Sequence, residues 1–201
     1  TFVPVAATEY GIAAGHWRRT ETRGNYNRVT YFDAMWRPVI EREYDAANIT
    51  GTQRFNGWKY DIDGRTTFQG YPRTSASSIV SFTTGVTSMY DVLGRPTLQS
   101  QTSELGNLST TYEYLTGLQT RVTNPRGKIT TATFQAFDTP DTSLPLIITA
   151  PETQKTTIAR DVWGKPTSIT RKGTYAGVAV SSTRSYVYDA HQQLCKRIDP
   201  E

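Results

Sequence analysis

The sequence predicts an all-β fold, a long antiparallel β-meander of repeated hairpins. Three observations predict it. A short turn motif built on Asp, often closing in Gly-Arg or Gly-Lys, recurs along the chain. Between turns lie runs of about 6–10 residues rich in Thr, Val, Ile and Tyr, several of them alternating apolar with polar, as half-buried strands do. No stretch carries the periodicity of a long helix. A recurring turn implies a recurring supersecondary unit, which decides architecture before any local reading does.

Taken in chain order, residues 1–28 hold no copy of the motif and read as an irregular N-terminal segment. Ala6–Ala14 has room for two helical turns at most, bracketed by Gly11 and Gly15. The repeat region spans 29–201. Looser copies start at Asp33 and Asp45. Tyr60-Asp61-Ile62-Asp63-Gly64-Arg65 is closer, and Tyr90-Asp91-Val92-Leu93-Gly94-Arg95-Pro96 is the clearest. Tyr114-Leu115-Thr116-Gly117 is degenerate, Asp138 is loose, Asp161-Val162-Trp163-Gly164-Lys165-Pro166 is clear, and Asp189 opens the last copy. From position 91 the markers step by 24, 23, 23 and 28 residues, and the longest step places an insertion within 172–181.

The motif has a physical reason. Asp at the first turn position accepts a hydrogen bond from the backbone two residues on. Gly64, Gly94 and Gly164, three residues later, tolerate the left-handed backbone that such a reversal needs. Asn48 is the next-best left-handed residue. Trp36, Gln192 and Asp141 suit that place poorly, so their turns are expected to differ. A second turn class alternates with the first: in Asn124-Pro125-Arg126-Gly127, Pro125 presets φ and Gly127 closes the turn. Ala150-Pro151-Glu152-Thr153 and Asp199-Pro200-Glu201 look related to it. Thr167–Arg171 and Thr183–Tyr188 alternate as strands between the two classes.

Composition narrows the function. Hydrophobic content is 36%, below the roughly 45–50% of globular domains, and fits a sheet with one dry face better than a thick globule. The net charge is +4, from 22 basic and 18 acidic residues interspersed along the chain. The densest basic point, His16-Trp17-Arg18-Arg19, holds two Arg, too few for the clustered phosphate contacts of nucleic-acid binding. Cys195 is the single cysteine, so no disulfide forms within the chain. No apolar run approaches a membrane span, and no leader sequence opens the chain. The start at Thr1 and the stop at Asp199-Pro200-Glu201 read as those of a fragment truncated mid-repeat.

Chemical motifs are absent. There is no nucleophile elbow, phosphate loop or zinc helix, and His16 and His191 stand at opposite ends of the chain. Asp61-Ile62-Asp63-Gly64 resembles the start of a calcium loop, but Arg65 follows and Pro72 takes the place of the bidentate Glu. Aspartates recurring at seven places (33, 45, 61, 91, 138, 161 and 189) fit a repeated cap, not one tuned catalytic pair. The reading is therefore non-enzymatic, with no cofactor and no metal. Trp17, Trp58 and Trp163 are candidate glycan-stacking rings, set against the alternative that they pack between strands. Asn48-Ile49-Thr50 and Asn107-Leu108-Ser109 satisfy the N-glycosylation rule.

Tyr90–Pro96, Asn124–Thr130, Asp161–Thr167 and Tyr188–Glu201 resemble the YD repeats of the RHS (rearrangement hot spot) family. The resemblance covers most of Val29 to Glu201, is weaker before Tyr90, and departs from the pattern at Gln192, where Gly is usual. It implies a long antiparallel sheet spiralling into a hollow shell, as in polymorphic toxins, the B and C components of Tc toxins, and teneurins. In bacterial members such a shell encloses a C-terminal toxin polypeptide, freed by aspartyl self-cleavage. No self-cleavage motif is found in this chain. The implied partners are the rest of the shell and the enclosed toxin, and the implied location is secreted or cell-surface, in a bacterium. Independently of the family, a meander leaves two unpaired edges, which predicts self-association through an edge or its cover by residues 1–28. An adhesion or carbohydrate-binding module is the alternative function, and a hydrolase hidden in residues 1–72 a third.

Overall fold

The computed structural model describes residues 1–135 and 141–200, so Asp138 lies outside the described residues. Among them, sixteen strands form one open antiparallel sheet in which each strand pairs with the next in the chain. The chain divides into two compact units, Thr1–Ser109 and Thr110–Glu201.

The first unit runs β1 (Phe2–Pro4), β2 (Trp17–Arg23), β3 (Tyr26–Phe32), β4 (Pro38–Asp45), a single helical turn α1 (Ile49–Thr52), β5 (Arg54–Tyr60), β6 (Thr66–Gly70), a 3₁₀ turn at Ile79–Ser81, β7 (Gly85–Tyr90) and β8 (Pro96–Ser103), and takes in the start of β9 (Gly106–Leu115). Residues 1–28, read as irregular, thus hold β1, β2 and the start of β3. The helix weighed at Ala6–Ala14 does not form. Among the described residues the α-helical turn stands at α1 instead, because Asn48 is an N-cap: its φ is −150°, and its side-chain oxygen accepts from the Gly51 amide at 3.1 Å. Asn48 is therefore not the left-handed turn residue expected of it, and the Asp45 copy opens into a helical turn.

Strand alternation builds the core of this unit. Val29 faces Arg42 across β3 and β4, Tyr31 faces Ile40, and Ile40 faces Gly57 on β5. That register puts Val29, Tyr31, Ile40 and Phe55 in one cluster, with Ile40 fully buried. Two segments of the same unit cover the cluster. The N-terminal arm brings Tyr10 edge-on to Tyr31 and Phe55, with ring centroids 5.0 and 5.6 Å apart. The arm is held by the Val5 amide donating to the His16 carbonyl at 2.8 Å and by an Arg18–Glu9 ion pair at 2.8 Å. The β6–β7 loop brings Ile79 and Phe82. Phe82 lies directly over Gly57 and Gly70, where a Cβ would come within 2.9 and 2.5 Å of its ring.

The second unit continues β9 and runs β10 (Gln119–Thr123), β11 (Ile129–Phe134), β12 (Pro145–Thr149), β13 (Lys155–Arg160), β14 (Pro166–Tyr175), β15 (Val178–Tyr188) and β16 (Leu194–Ile198). It is thin: apart from Gly164, none of its described residues is buried. Its register lines up Ala132 with Ile148 and Ile158 with Ile169 as half-buried pairs, and the Thr170 and Thr183 hydroxyls bond across β14 and β15 at 2.9 Å. Cys195 on β16 is exposed and free, not the buried or half-buried structural thiol that its strand-like position leads one to expect.

Gly70→Ala is expected to destabilise the first unit by about 1–3 kcal/mol through overpacking against Phe82. Denaturant unfolding followed by intrinsic fluorescence measures it. Gly173→Ala, which like Gly70 has no left-handed backbone and whose added Cβ comes no nearer than 3.8 Å to a neighbour, controls for the backbone effect of losing a strand glycine.

Candidate functional site

Asp is short, and its carboxylate reaches its own chain's amides two and four residues on. That single property builds the turns. Between β3 and β4, one Asp33 oxygen accepts from the Met35 and Arg37 amides at 2.9 and 3.0 Å, while the other accepts from Arg37 Nε at 2.7 Å. Asp61 repeats the arrangement with Asp63 and Arg65, and Asp91 repeats it with Leu93 and Arg95. Asp161 and Asp189 take the same pairs of amides. In each turn the first amide donates to the fifth carbonyl and the fourth amide to the first carbonyl.

The fourth residue must then be left-handed. Gly64, Gly94 and Gly164 have φ of +83°, +78° and +80°. Trp36 and Gln192 adopt the same conformation, at +62° and +64°. Their turns do not differ as expected, because the carboxylate and the strand register impose the geometry whatever side chain is present. Asn124 also overturns an expectation. Its Oδ1 accepts from the Arg126 and Lys128 amides at 3.0 Å each, and Gly127 has φ +71°. The Asn124-Pro125-Arg126-Gly127 turn therefore belongs with the Asp turns, and the alternation lies only in which end of the strands it joins. The Ala150–Gln154 loop does differ, with both Glu152 and Thr153 left-handed.

A second layer of contacts links one Asp turn to the next. Arg37, while bound to its own Asp, also donates from Nη1 to the Asp61 carbonyl at 3.1 Å, with its guanidinium 4.7 Å from the centre of the Tyr60 ring. The Tyr60 hydroxyl donates back to the Pro38 carbonyl at 2.8 Å. Arg65 and Tyr90 repeat the exchange: Arg65 reaches the Asp91 carbonyl at 3.3 Å and lies 5.2 Å from the Tyr90 ring, and Tyr90 donates to the Thr66 carbonyl at 2.9 Å. In the second unit the Lys165 amine meets the Gln192 carbonyl and lies over Tyr188, whose hydroxyl donates to the Pro166 carbonyl at 3.0 Å. Arg160, which stands where the others have Tyr, reaches the Pro145 carbonyl at 3.2 Å from two nitrogens. The accepting carbonyl each time belongs to the first residue of a strand, Pro38 of β4, Thr66 of β6, Pro145 of β12 or Pro166 of β14.

Electrostatics follow this wiring. Burial pushes the Asp33 carboxyl up, but the Arg37 amide, the Arg37 guanidinium and the Met35 amide outweigh it and hold the group below the usual carboxylate range. The Asp61 and Asp91 carboxyls are also held low, their desolvation outweighed by bonds from Arg65 and Arg95. Burial, seconded by the Asp33 charge, pushes the Tyr60 phenol up, which keeps it a hydrogen-bond donor. The calcium-like Asp61–Asp63 pair is bridged by Arg65, at 2.6 and 2.7 Å.

The structure thus places Asp33, Asp61, Asp91, Asp161 and Asp189 at five separate turns and brings no two of their carboxylates together. Asp45 caps Ala47 in its own loop. Of the candidate glycan rings, Trp17 stacks on Phe2 at 4.9 Å and also meets Trp36, and Trp58 is half-buried on β5, whereas Trp163 is 66% exposed at a turn tip. The residues that sequence reasoning missed are the latch donors Tyr60, Tyr90, Arg160 and Tyr188 and the cations Arg37, Arg65 and Lys165. Their signal was the recurrence of a donor just before Asp61, Asp91, Asp161 and Asp189 and of a cation just after the fourth residue at Arg37, Arg65, Arg95 and Lys165.

Against known proteins, no family model matches the chain and no curated protein matches it. Among solved structures, a Photorhabdus luminescens Tc holotoxin pore with a mutation in its TccC3 component is similar, with a TM-score of 0.44 and 13% identity over 92% of this chain. The chain spans 12% of the length of that one. Among the described residues no helix is long and apolar enough to cross a membrane.

Gln192→Gly is expected to stabilise the protein by about 1 kcal/mol, since it removes a left-handed side chain and a buried side-chain oxygen without a partner. Gly94→Val is expected to cost about 1–2 kcal/mol at the same place in its turn. Thermal unfolding of the two variants therefore shifts in opposite directions.

The lowered carboxyls of Asp33, Asp61 and Asp91 contribute stability that is full above the unfolded value of about 3.9 and is lost as pH falls through their lower folded values. The unfolding midpoint is expected to drop below about pH 4, and to drop less in the D33N/D61N/D91N triple variant.

Proposed function

We propose that the chain is a non-catalytic wall segment of an RHS/YD-type shell, which encloses a toxin polypeptide and keeps it from the producing bacterium until export. The observation that carries this reading is the Tyr–Asp–Arg latch. Each Asp turn clamps its own hairpin, and each donor and cation lock that hairpin to the preceding or following one. Such a device extends a sheet hairpin by hairpin without closing it, as repeat proteins add one unit to the next. The turn aspartates support the non-enzymatic part of the reading: their carboxylates are engaged at their own turns and face no shared pocket. In this role the partners are the remaining wall and the enclosed polypeptide, and the location is outside the producing cell.

Limited proteolysis of the full-length protein that contains this segment tests the reading. A polypeptide protected in the intact protein and cleaved in an R37A/R65A/K165A variant is expected. A full-length protein that shields no segment from protease would refute it. Trp163 keeps one ring open for the alternative of glycan binding, and quenching of tryptophan fluorescence by added oligosaccharide, lost in Trp163→Ala, would favour that alternative.

A further inference from the structure

The β14–β15 hairpin is longer than its neighbours need. Lys172 is the last β14 residue paired with β13, at Lys155, whereas β14 and β15 continue through Gly173–Val180, Thr174–Ala179 and Tyr175–Val178. The extension ends in a tight reversal with Ala176 and Gly177 left-handed, at φ +49° and +81°. Its tip is apolar and open: Tyr175 is 77% exposed, Val178 65% and Val180 47%. A Thr153–Thr174 hydroxyl contact at 3.1 Å braces its base.

The base carries charge of one sign. A groove of about 470 Å³ runs past Lys155, Arg171 and Lys172 and the hydroxyl residues Thr174, Ser181 and Ser182. None of the three cations forms an ion pair with a carboxylate among the described residues. Glu152, in the adjoining turn, is the nearest acid in sequence on the β13 side, and no Asp or Glu occurs anywhere from 162 to 188. Along β14 and β15, Arg184 is engaged by Asp199.

We infer that this hairpin docks on a membrane surface rich in anionic lipid, with Tyr175, Val178 and Val180 entering the interface and Lys155, Arg171 and Lys172 meeting lipid phosphates. An amphipathic Tyr with two Val at a tip suits the headgroup boundary, where such rings settle. Cations just behind an apolar tip are the arrangement that adds electrostatic attraction to partial insertion. A nucleic acid would use the cations but gain nothing from an apolar tip, so lipid is the better match. This inference does not depend on the wall reading, and either can fail alone.

Sedimentation of the 201-residue chain with vesicles tests it, comparing phosphatidylcholine alone with phosphatidylcholine containing about one-third phosphatidylglycerol. Binding to the anionic vesicles only is expected. Each cation removed should weaken it about 5-fold and K155Q/R171Q/K172Q on the order of 100-fold. Y175S/V178S should also weaken it, and in Y175W the new indole should shift to the blue on binding. These residues lie at the surface, and unchanged unfolding curves confirm that the variants fold. No binding to anionic vesicles at about 0.05 M salt overturns the inference. Binding that survives both sets of substitutions, or that follows a DNA duplex equally well and ignores Y175S/V178S, overturns it too.

Discussion

A chain reversal of five residues leaves amides that no strand partner can reach, and nearly everything in this protein depends on how they are satisfied. One carboxylate oxygen takes two of them, and at Asp33, Asp61 and Asp91 the other oxygen takes the Arg that follows. A single neutral hydrogen bond contributes about 0.5–1.5 kcal/mol, and bonds to a charged partner about 1.5–3. The Asp turn concentrates several such bonds in five residues and fixes the register of both strands at once. That matters more here than in a thick domain, because the hydrophobic contribution is small: among the described residues there is one buried cluster in the first unit and none in the second.

The latch adds what a turn alone lacks, a link between hairpins. Where Tyr60, Tyr90 and Tyr188 stand, the Tyr hydroxyl and the Arg or Lys head reach across the junction from opposite partners, so those three junctions are held twice. Stacking a cation on the donor's ring contributes about 0.5–1 kcal/mol at an exposed site and orients the phenol. Arg160 shows which part of the device is essential. It discards the aromatic ring yet keeps the bond to the first carbonyl of a strand. Phe32, before the first Asp turn, lacks a donor and packs instead against Phe2 at 5.8 Å.

What was legible in the sequence follows from range. The strands and the Asp turns were readable because their causes are local: alternation, an Asp, and a Gly three residues on. The latch was not, because Tyr60 and Pro38 are 22 residues apart and Tyr90 and Thr66 are 24, and only a known register brings them together. Trp36 and Gln192 misled because propensity was weighed one residue at a time. An Asp carboxylate holding two amides outweighs the roughly 1–2 kcal/mol that a left-handed side chain costs. Asn124 misled because Pro125 drew the reading toward a second turn class, although its amide oxygen does what an Asp oxygen does. In the N-terminal arm, Tyr10 covers Tyr31 through a contact that no local pattern announces.

The same wiring bears on what the aspartates can do chemically. A general acid or base must exchange its proton near the working pH and must have an oxygen free to meet a substrate. Asp33, Asp61 and Asp91 fail on both counts: their carboxyls are held below the usual range, and each accepts from two amides and a guanidinium. Raising one of them into a catalytic range would require removing the bonds that form the turn, and the hairpin would lose its register with them. Repetition is thus a constraint as well as a pattern. A group committed to closing the chain at each turn is available for architecture, and any chemistry would have to come from residues outside the repeat.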